Sequence, residues 1–432
     1  MMTPLSLKTS TVVTRERTKY CRRLLVLSWL LLSCVCSAQR KPPFKLLHSF
    51  GGSGDGDAPS SGVVFDGDGN LYGTTSAGGA LGYGTVYELS PEKDGTWTES
   101  ILHNFPDPHS VQDGSEPSGG VVMDRSGDVY GTAQLGGEYG RGIVFELISG
   151  ASGWTESVLH NFCSLEGCTD GGGPITAPIL DSAGNLYGGT DSGSGQQGVI
   201  YELMPSGWGW EESVLYTFCS LPNCTDGDNP GQIIMDRSGN IYGPTSNGGT
   251  QQRGVVFLLM PPKPQGGGWT EQVLHDFSGS DGQEPEGVVL YGGALYGTAA
   301  VGGGGECGCG TIFELAPAPD VTAGANYTVL HQFTNFSGGE YPLGAPVFDD
   351  AGNMYGVASF GGAPCGCGLV WELKRVAGGW RYEILHVFTG ADGVDPSAGL
   401  TIDREGNLYG TTIGGSTGGV VFEILRASPT AK

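Results

Sequence analysis

Basic residues are scarce in this chain. It has 21 Lys and Arg against 45 Asp and Glu in 432 residues, a formal charge of −24. Six of the basic residues and one Glu fall in residues 1–38, so the remainder holds 15 against 44, or −29. An acidic shell of that size repels phosphate backbones, and no nucleic-acid partner is expected. Beyond residue 38 there is no apolar run long enough to span a bilayer. A nucleophile elbow, a phosphate-cradling loop and a zinc-binding helix motif are all missing as well. None of the chemistries those motifs announce is therefore expected.

Glycine is abundant, at 79 residues. It recurs at fixed phases beside apolar and aromatic residues, which indicates many turns between short strands. The organising stretch is GNLYGTTSAGGALGYGTVYELSP, Gly69 to Pro91. The tyrosine of its L-Y-G core returns at Tyr72, Tyr130, Tyr187, Tyr242, Tyr296, Tyr355 and Tyr409, in steps of 58, 57, 55, 54, 59 and 54 residues. A period of that size is read before any local feature, because it sets the architecture.

Within each unit the order is constant. A short apolar run such as GVVFD (62–66) comes first, then a turn of the D-x-x-G-N type, then NLYGTT. A Gly-rich loop, GTVYEL, a variable turn and W-T-E-S-x-L-H-x-F follow. These are four strands of about five residues, rich in Val, Ile, Tyr, Phe and Thr. Seven four-stranded units predict an all-β, seven-bladed β-propeller. The last unit ends at VVFEIL (420–425) without its outermost strand, and an orphan copy, KLLHSF (45–50), precedes the first unit. That strand is expected to complete the last blade and close the ring, which removes an exposed sheet edge. Naming the strands a to d from the inside out, the d-to-a and b-to-c connections share one face of the disc.

The residues D-x-x-G-N-L-Y-G-T-T-x-x-G-G…G-T-V-F-E-L…W…L-H-x-F resemble the GloVer tandem repeat of exported bacterial proteins, over about residues 44–425. The resemblance implies export and the repeat fold. It carries no established activity. It also implies a C-terminal anchor, whereas the residues after 425 contain no apolar tail.

Arg15, Arg17, Lys19, Arg22 and Arg23 precede the apolar run Leu24–Ala38. A basic region, a short apolar region and a small-residue end read as a secretory signal peptide over 1–38. A lipoprotein signal with Cys34 as the lipidated residue is the alternative. Residues 39–43 are then a linker, 44–425 the propeller and 426–432 a tail.

Six of the seven histidines share one phase of strand d: His48, His103, His160, His275, His331 and His386, with Tyr216 in the remaining unit. That recurrence predicts packing or hydrogen bonding. His109 alone is out of phase, in the loop PDPHSVQDGSEP, and is a mild functional hint. The d-to-a connections read D-G-x-x-P six times, at Asp55, Asp113, Asp170, Asp226, Asp281 and Asp392; the seventh reads GGEYP. Asp-Gly and Pro are turn chemistry. The functional alternative is a ring of carboxylates at one mouth of the disc, joined by Asp57, Glu116, Asp228, Glu284, Glu340 and Asp395. Such a ring suits Ca²⁺, a ligand of hard oxygens, or the hydroxyls of a glycan. Asp66-Gly-Asp68-Gly-Asn70 faintly resembles a calcium loop but lacks its terminal Glu.

Beyond the signal region eight cysteines form four close pairs: Cys163 with Cys168, Cys219 with Cys224, Cys307 with Cys309 and Cys365 with Cys367. An even count in an exported chain implies disulfides. Pairing within each motif, cross-pairing of the two C-G-C motifs, and four thiolates around zinc are the three arrangements considered. All eight should lie on the acidic loop face. The reading that follows is an exported, monomeric propeller acting as a binding scaffold for a glycan or extracellular protein. A polysaccharide-acting enzyme using loop carboxylates and a purely structural envelope protein are the alternatives.

Overall fold

A computed structural model describes residues 42–109, 113–193, 197–263, 266–305, 307–316 and 326–426. The expected signal peptide and Cys34 lie outside the described residues. The ring lies in the unit Pro42–Lys432. Seven small antiparallel sheets make it, each with the order a-b-c-d, and blade 4 carries one extra short strand. Blade 1 is typical: Val64–Phe65, Leu71–Thr75, Thr85–Pro91 and Trp97–Asn104. Its b strand is buried along its length, as expected for a layer covered on both sides. Among the described residues no helix is long and apolar enough to cross a membrane.

Closure follows the sequence expectation. The strand Phe44–Ser49 pairs antiparallel with Val420–Ile424 and becomes strand d of blade 7. Phe50 N–H donates to Gly419 O at 2.9 Å, Gly418 N–H donates to Phe50 O at 2.9 Å, and Thr411 Oγ1–H donates to Ser61 O at 2.8 Å. The first and last residues of the ring thus share one sheet, and no sheet edge is left open at the seam.

Two invariant letters of the repeat have steric causes. The glycine of L-Y-G lies under the aromatic ring of strand c; at Gly243 an added Cβ would sit 2.8 Å from Phe257 Cζ. The glycine that opens strand c has left-handed backbone and faces the next blade's proline. Gly84, at φ +100, would bring a Cβ within 2.6 Å of Pro117 Cδ. The core lies between blades. The phenylalanine that ends strand d packs edge-on against strand c of the following blade, as in Phe50–Tyr87 (5.0 Å), Phe105–Phe145 (5.3 Å) and Phe388–Phe422 (5.2 Å). Tyr72, Tyr130 and Tyr296 likewise meet Trp154, Trp210 and Trp380 of the next blade's strand d at 6.3–6.5 Å. Burying such rings is the dominant stabilising term, at about 3–5 kcal/mol per Phe truncated to Ala.

A bulge recurs in all seven c–d pairings. The skipped residue is the leucine before the strand-d histidine or tyrosine: Leu47, Leu102, Leu159, Leu215, Leu274, Leu330 and Leu385. A bulge re-aims the side chain that follows it. Here that residue is brought to the rim of the loop face.

Candidate functional site

The loop face is built by pairing the two predicted loop families. Gly56–Asp57 pairs with Ala77–Gly78, and Gly114–Ser115 with Leu135–Gly136. Equivalent contacts join Gly172 to Ser192, Asp228 to Asn247, Gln283 to Val301, Glu340 to Phe360 and Val394 to Gly414. The residue before each connection's proline is left-handed: Ala58, Glu116, Gly173, Asn229, Glu284, Tyr341 and Asp395, at φ 53–62°. Their N–H groups donate to the previous blade's b-to-c loop, for example Glu116 to Tyr83 O and Asp395 to Cys367 O, both at 3.0 Å. That bond holds a conformation which disfavours non-glycine residues by about 1–2 kcal/mol. One backbone therefore displays a different side chain at nearly every blade.

The two rows of acids separate. The first row does not gather at the mouth of the disc. Asp55, Asp113, Asp281 and Asp392 each lie 3.0–3.3 Å from the Nε2 of His48, His103, His275 and His386. Asp170 lies 3.8 Å from His160 Nε2, and Tyr216 Oη–H donates to Asp226 at 2.9 Å. The same carboxylates also cap the turn itself. Asp113 accepts from Gly114 N–H, Asp170 from Ser164 N–H and Oγ–H, and Asp392 from Thr389 N–H and Oγ1–H, all at 2.6–2.8 Å. The bulged histidine and the Asp-Gly turn are one repeated unit. The second row stays within the loop face. Asp57 is exposed, and Glu116, Asp228, Glu284, Glu340 and Asp395 are half-buried. Burial pushes the carboxyls of Asp228 and Asp395 above the usual range. His109 is exposed, and its N–H donates to Asp107 Oδ1 at 2.9 Å.

A further rim residue had no role assigned from sequence. The position four residues before the strand-d histidine faces the histidine or tyrosine of the preceding blade. In blades 1 to 4 it is Glu99, Glu156, Glu212 and Glu271. Burial is the main cause that pushes these carboxyls up, to about 8 for Glu99 and about 7 for the others. The facing Asp55, Asp113, Asp170 and Asp226 add to the shift. The Oε1 atom of all four is buried without a hydrogen-bond partner. In blades 5 to 7 the same position is Tyr327, Tyr382 and Phe44, stacked flat on His275, His331 and His386 at 3.8–4.1 Å. The Glu of W-T-E-S was the available signal. Its partner lies in another blade, so period-2 patterning along one strand could not reveal it.

Each of the eight cysteines among the described residues is bonded within its own motif: Cys163–Cys168, Cys219–Cys224, Cys307–Cys309 and Cys365–Cys367. Cross-pairing and a four-thiolate site are not formed. Among the described residues two groups of three side chains have metal-ligating atoms close together: Cys307, Cys309 and Glu340, and His48, Asp55 and Glu99. The first contains a disulfide.

The innermost segments of adjacent blades approach closely. A Cβ on Gly287 would meet Ala345 N at 2.5 Å, and one on Gly119 would meet the Thr176 carbonyl carbon at 2.6 Å. A cavity of about 340 Å³ opens on the loop face, lined by Arg141, Cys168, Asp191, Ser192 and Asn229. Two of about 560 Å³ lie between a-to-b turns of adjacent blades, one at Asp124–Arg125 and Ser182–Gly184, the other at Asp349–Ala351 and Asp403–Gly406.

Solved structures share the fold. The extracellular domain of the one component system BT4673 from B. thetaiotaomicron is 11% identical, with a TM-score of 0.53 over 88% of this chain and 40% of that one. PorZ, a surface component of the type-IX secretion system of Porphyromonas gingivalis, is 13% identical, with a TM-score of 0.53 over 89% of this chain and 48% of that one. This chain thus spans less than half of either. No curated protein matches it. Residues 38–193 and 174–422 both match the Gloeobacter/Verrucomicrobia repeat, and the chain belongs to that family.

Proposed function

We propose that this protein is an exported interaction scaffold whose loop face docks an extracellular partner protein. The observation that carries the reading is the apolar display on that face. Leu81, Tyr139, Leu165, Leu221, Phe336 and Phe360 are 46–55% exposed, all on d-to-a or b-to-c loops. Leu165 and Leu221 project from disulfide-closed loops, so little entropy is lost when a partner orders them. Apolar and aromatic anchors within a polar, acidic surround suit a protein interface. Removal of a signal peptide ending near Ala38 and formation of the disulfides in an oxidising compartment belong to the same reading.

The test is site-specific photo-crosslinking in the native cell envelope. A benzophenone side chain is placed at Leu165, at Phe336, or at Trp208, which is fully exposed on the opposite face in the Ser206–Gly209 hairpin. The two loop-face positions should yield one common adduct that Trp208 does not. Equal labelling from Trp208, or adducts from neither loop position, would defeat the reading.

A further inference from the structure

We propose that His48, Asp55 and Glu99 bind one Zn²⁺ ion at the seam where the N-terminal strand closes the ring. The three offer ligand atoms that all lie within 4.8 Å of one another. His48 Nε2 is 3.3 Å from Asp55 Oδ2 and 3.7 Å from Glu99 Oε2. Tetrahedral ligands about 2.0–2.1 Å from zinc stand roughly 3.4 Å apart, so these spacings already match a zinc shell. The His48–Asp55 contact is a hydrogen bond like its 3.0–3.1 Å counterparts at His103, His275 and His386, and what the seam adds is a second carboxylate, Glu99, 3.7 Å from the same nitrogen.

The site is built and sheltered. Its three side chains are 12–18% exposed. Two carboxylates meet there with no Lys or Arg paired to either among the described residues, and Glu99 Oε1 is buried without a partner. Buried carboxylates at that spacing call for a cation or a shared proton. Gly56 N–H donates to Asp55 Oδ1 at 2.7 Å, and the longer Gly52 N–H contact to Oδ2, at 3.4 Å, helps to hold the carboxylate with Oδ2 turned to the histidine. Phe50 packs edge-on to the His48 ring at 4.6 Å and holds its orientation. One nitrogen and two oxygens with an open fourth position are a zinc donor set, whereas calcium takes 6–8 oxygens.

The other junctions are less suited. At Asp170 and Asp226 the carboxylates are used by the turn, through Ser164 and Leu165 in one case and Ser220 and Leu221 in the other. Junctions 5 to 7 have rings in place of the glutamate. Zinc at the seam would tie strand Phe44–Ser49 and its connection to the outer strand of blade 1, a cross-link between the first-placed strand and the blade it must hold. The site is independent of the loop-face reading.

The test is calorimetric titration of the chelator-treated protein with ZnCl₂, beside the absorption spectrum of the Co²⁺-loaded protein. Wild type should bind one Zn²⁺ per chain and give visible cobalt bands. Glu99→Gln and, as a second variant, His48→Gln should each weaken binding at least tenfold and remove the bands. Glu156→Gln, the counterpart at the next junction, should bind as wild type does. Absence of stoichiometric zinc and of cobalt bands in wild type would overturn the proposal without any variant. So would equal losses from Glu99→Gln and Glu156→Gln, the mark of diffuse acidic binding.

Discussion

Four blade junctions meet the rim histidine, or Tyr216, with a glutamate, and three meet it with an aromatic ring. The backbone is the same in both halves: a bulged leucine, then the rim residue, then the phenylalanine that packs into the next blade. The chemistry is opposite. Tyr382 lies flat on His331 at 4.0 Å, and its hydroxyl donates to Gly338 O at 2.7 Å. Glu212 lies beside Asp170 with one oxygen unpartnered. A ring fills that position by dispersion and stacking, at no electrostatic cost. An acid fills it only by keeping its proton or finding a cation. The fold tolerates both because the buried phenylalanines stabilise each junction on their own.

The largest expected effect separates the halves directly. Tyr382→Ala should cost about 3 kcal/mol, through the lost stack, the lost hydrogen bond and the void. Glu212→Ala at pH 8 should cost under about 1 kcal/mol, because the group it removes is strained there. Urea midpoints of the two variants check this. Equal losses would mean that the rim position is packing alone. A second effect concerns the loops above the acidic junctions. Cys219→Ser with Cys224→Ser opens a five-residue span and should cost about 2 kcal/mol by loop-closure entropy. The loss should be seen as a lower melting temperature, with wild type in reductant falling at least as far, because the other three disulfides open as well.

The acids also give the halves different pH dependence. The carboxyls of Glu156, Glu212 and Glu271 sit near pH 7 in the fold against 4.5 in the open chain. The folded state therefore holds more protons, and stability falls as pH rises from about 4.5 through 7. The facing groups are Asp113 and His103 for Glu156, Asp170 with its neighbour His160 for Glu212, and Asp226 with Tyr216 for Glu271. Each of the three glutamates is partly exposed, so solvent screening reduces its share to about 1 kcal/mol. Glu→Gln variants should match wild type at pH 5 and exceed it by about that much at pH 8.5. Tyr327→Phe should show no such crossover. Denaturation curves at the two pH values decide it.

The ring, its seam and the cysteine motifs were legible because each repeats in register along one chain. Tyr72 to Tyr409 gave the blades, and KLLHSF gave the closure. The histidine row and the Asp-Gly row were both visible, but as two features. Their union depends on the bulge at residues such as Leu102, which has no signature in the alternation of strand d. The Glu-or-ring choice was hidden for a related reason. His48 and Glu99 are 51 positions apart and belong to different sheets, so only the turn of one blade onto the next brings them together.

The smallest effect concerns the one junction where the turn aspartate is absent. Gly338 stands where the other six connections have Asp, four residues before Pro342. His331 accordingly has its ring stacked on Tyr382 but no carboxylate, and burial holds its imidazole down to about 4. A histidine lowered from 6.5 withdraws stability as pH falls through that interval, because the unfolded chain takes up the proton first. Gly338 can accept a side chain. An added Cβ would meet only the Asn335 side chain, Oδ1 at 3.4 Å and Cγ at 3.9 Å, and Gly339 already supplies the left-handed turn at φ +102. Gly338→Asp should therefore raise the His331 value by about one unit or more, followed by NMR titration of the ring. At pH 5 the variant should exceed wild type by about 0.5–1 kcal/mol. At pH 8 only the few tenths due to a stiffer unfolded chain should remain. If the His331 titration does not move, the aspartates of the other connections act on their turns alone, and the histidines at those junctions are held by stacking and burial instead.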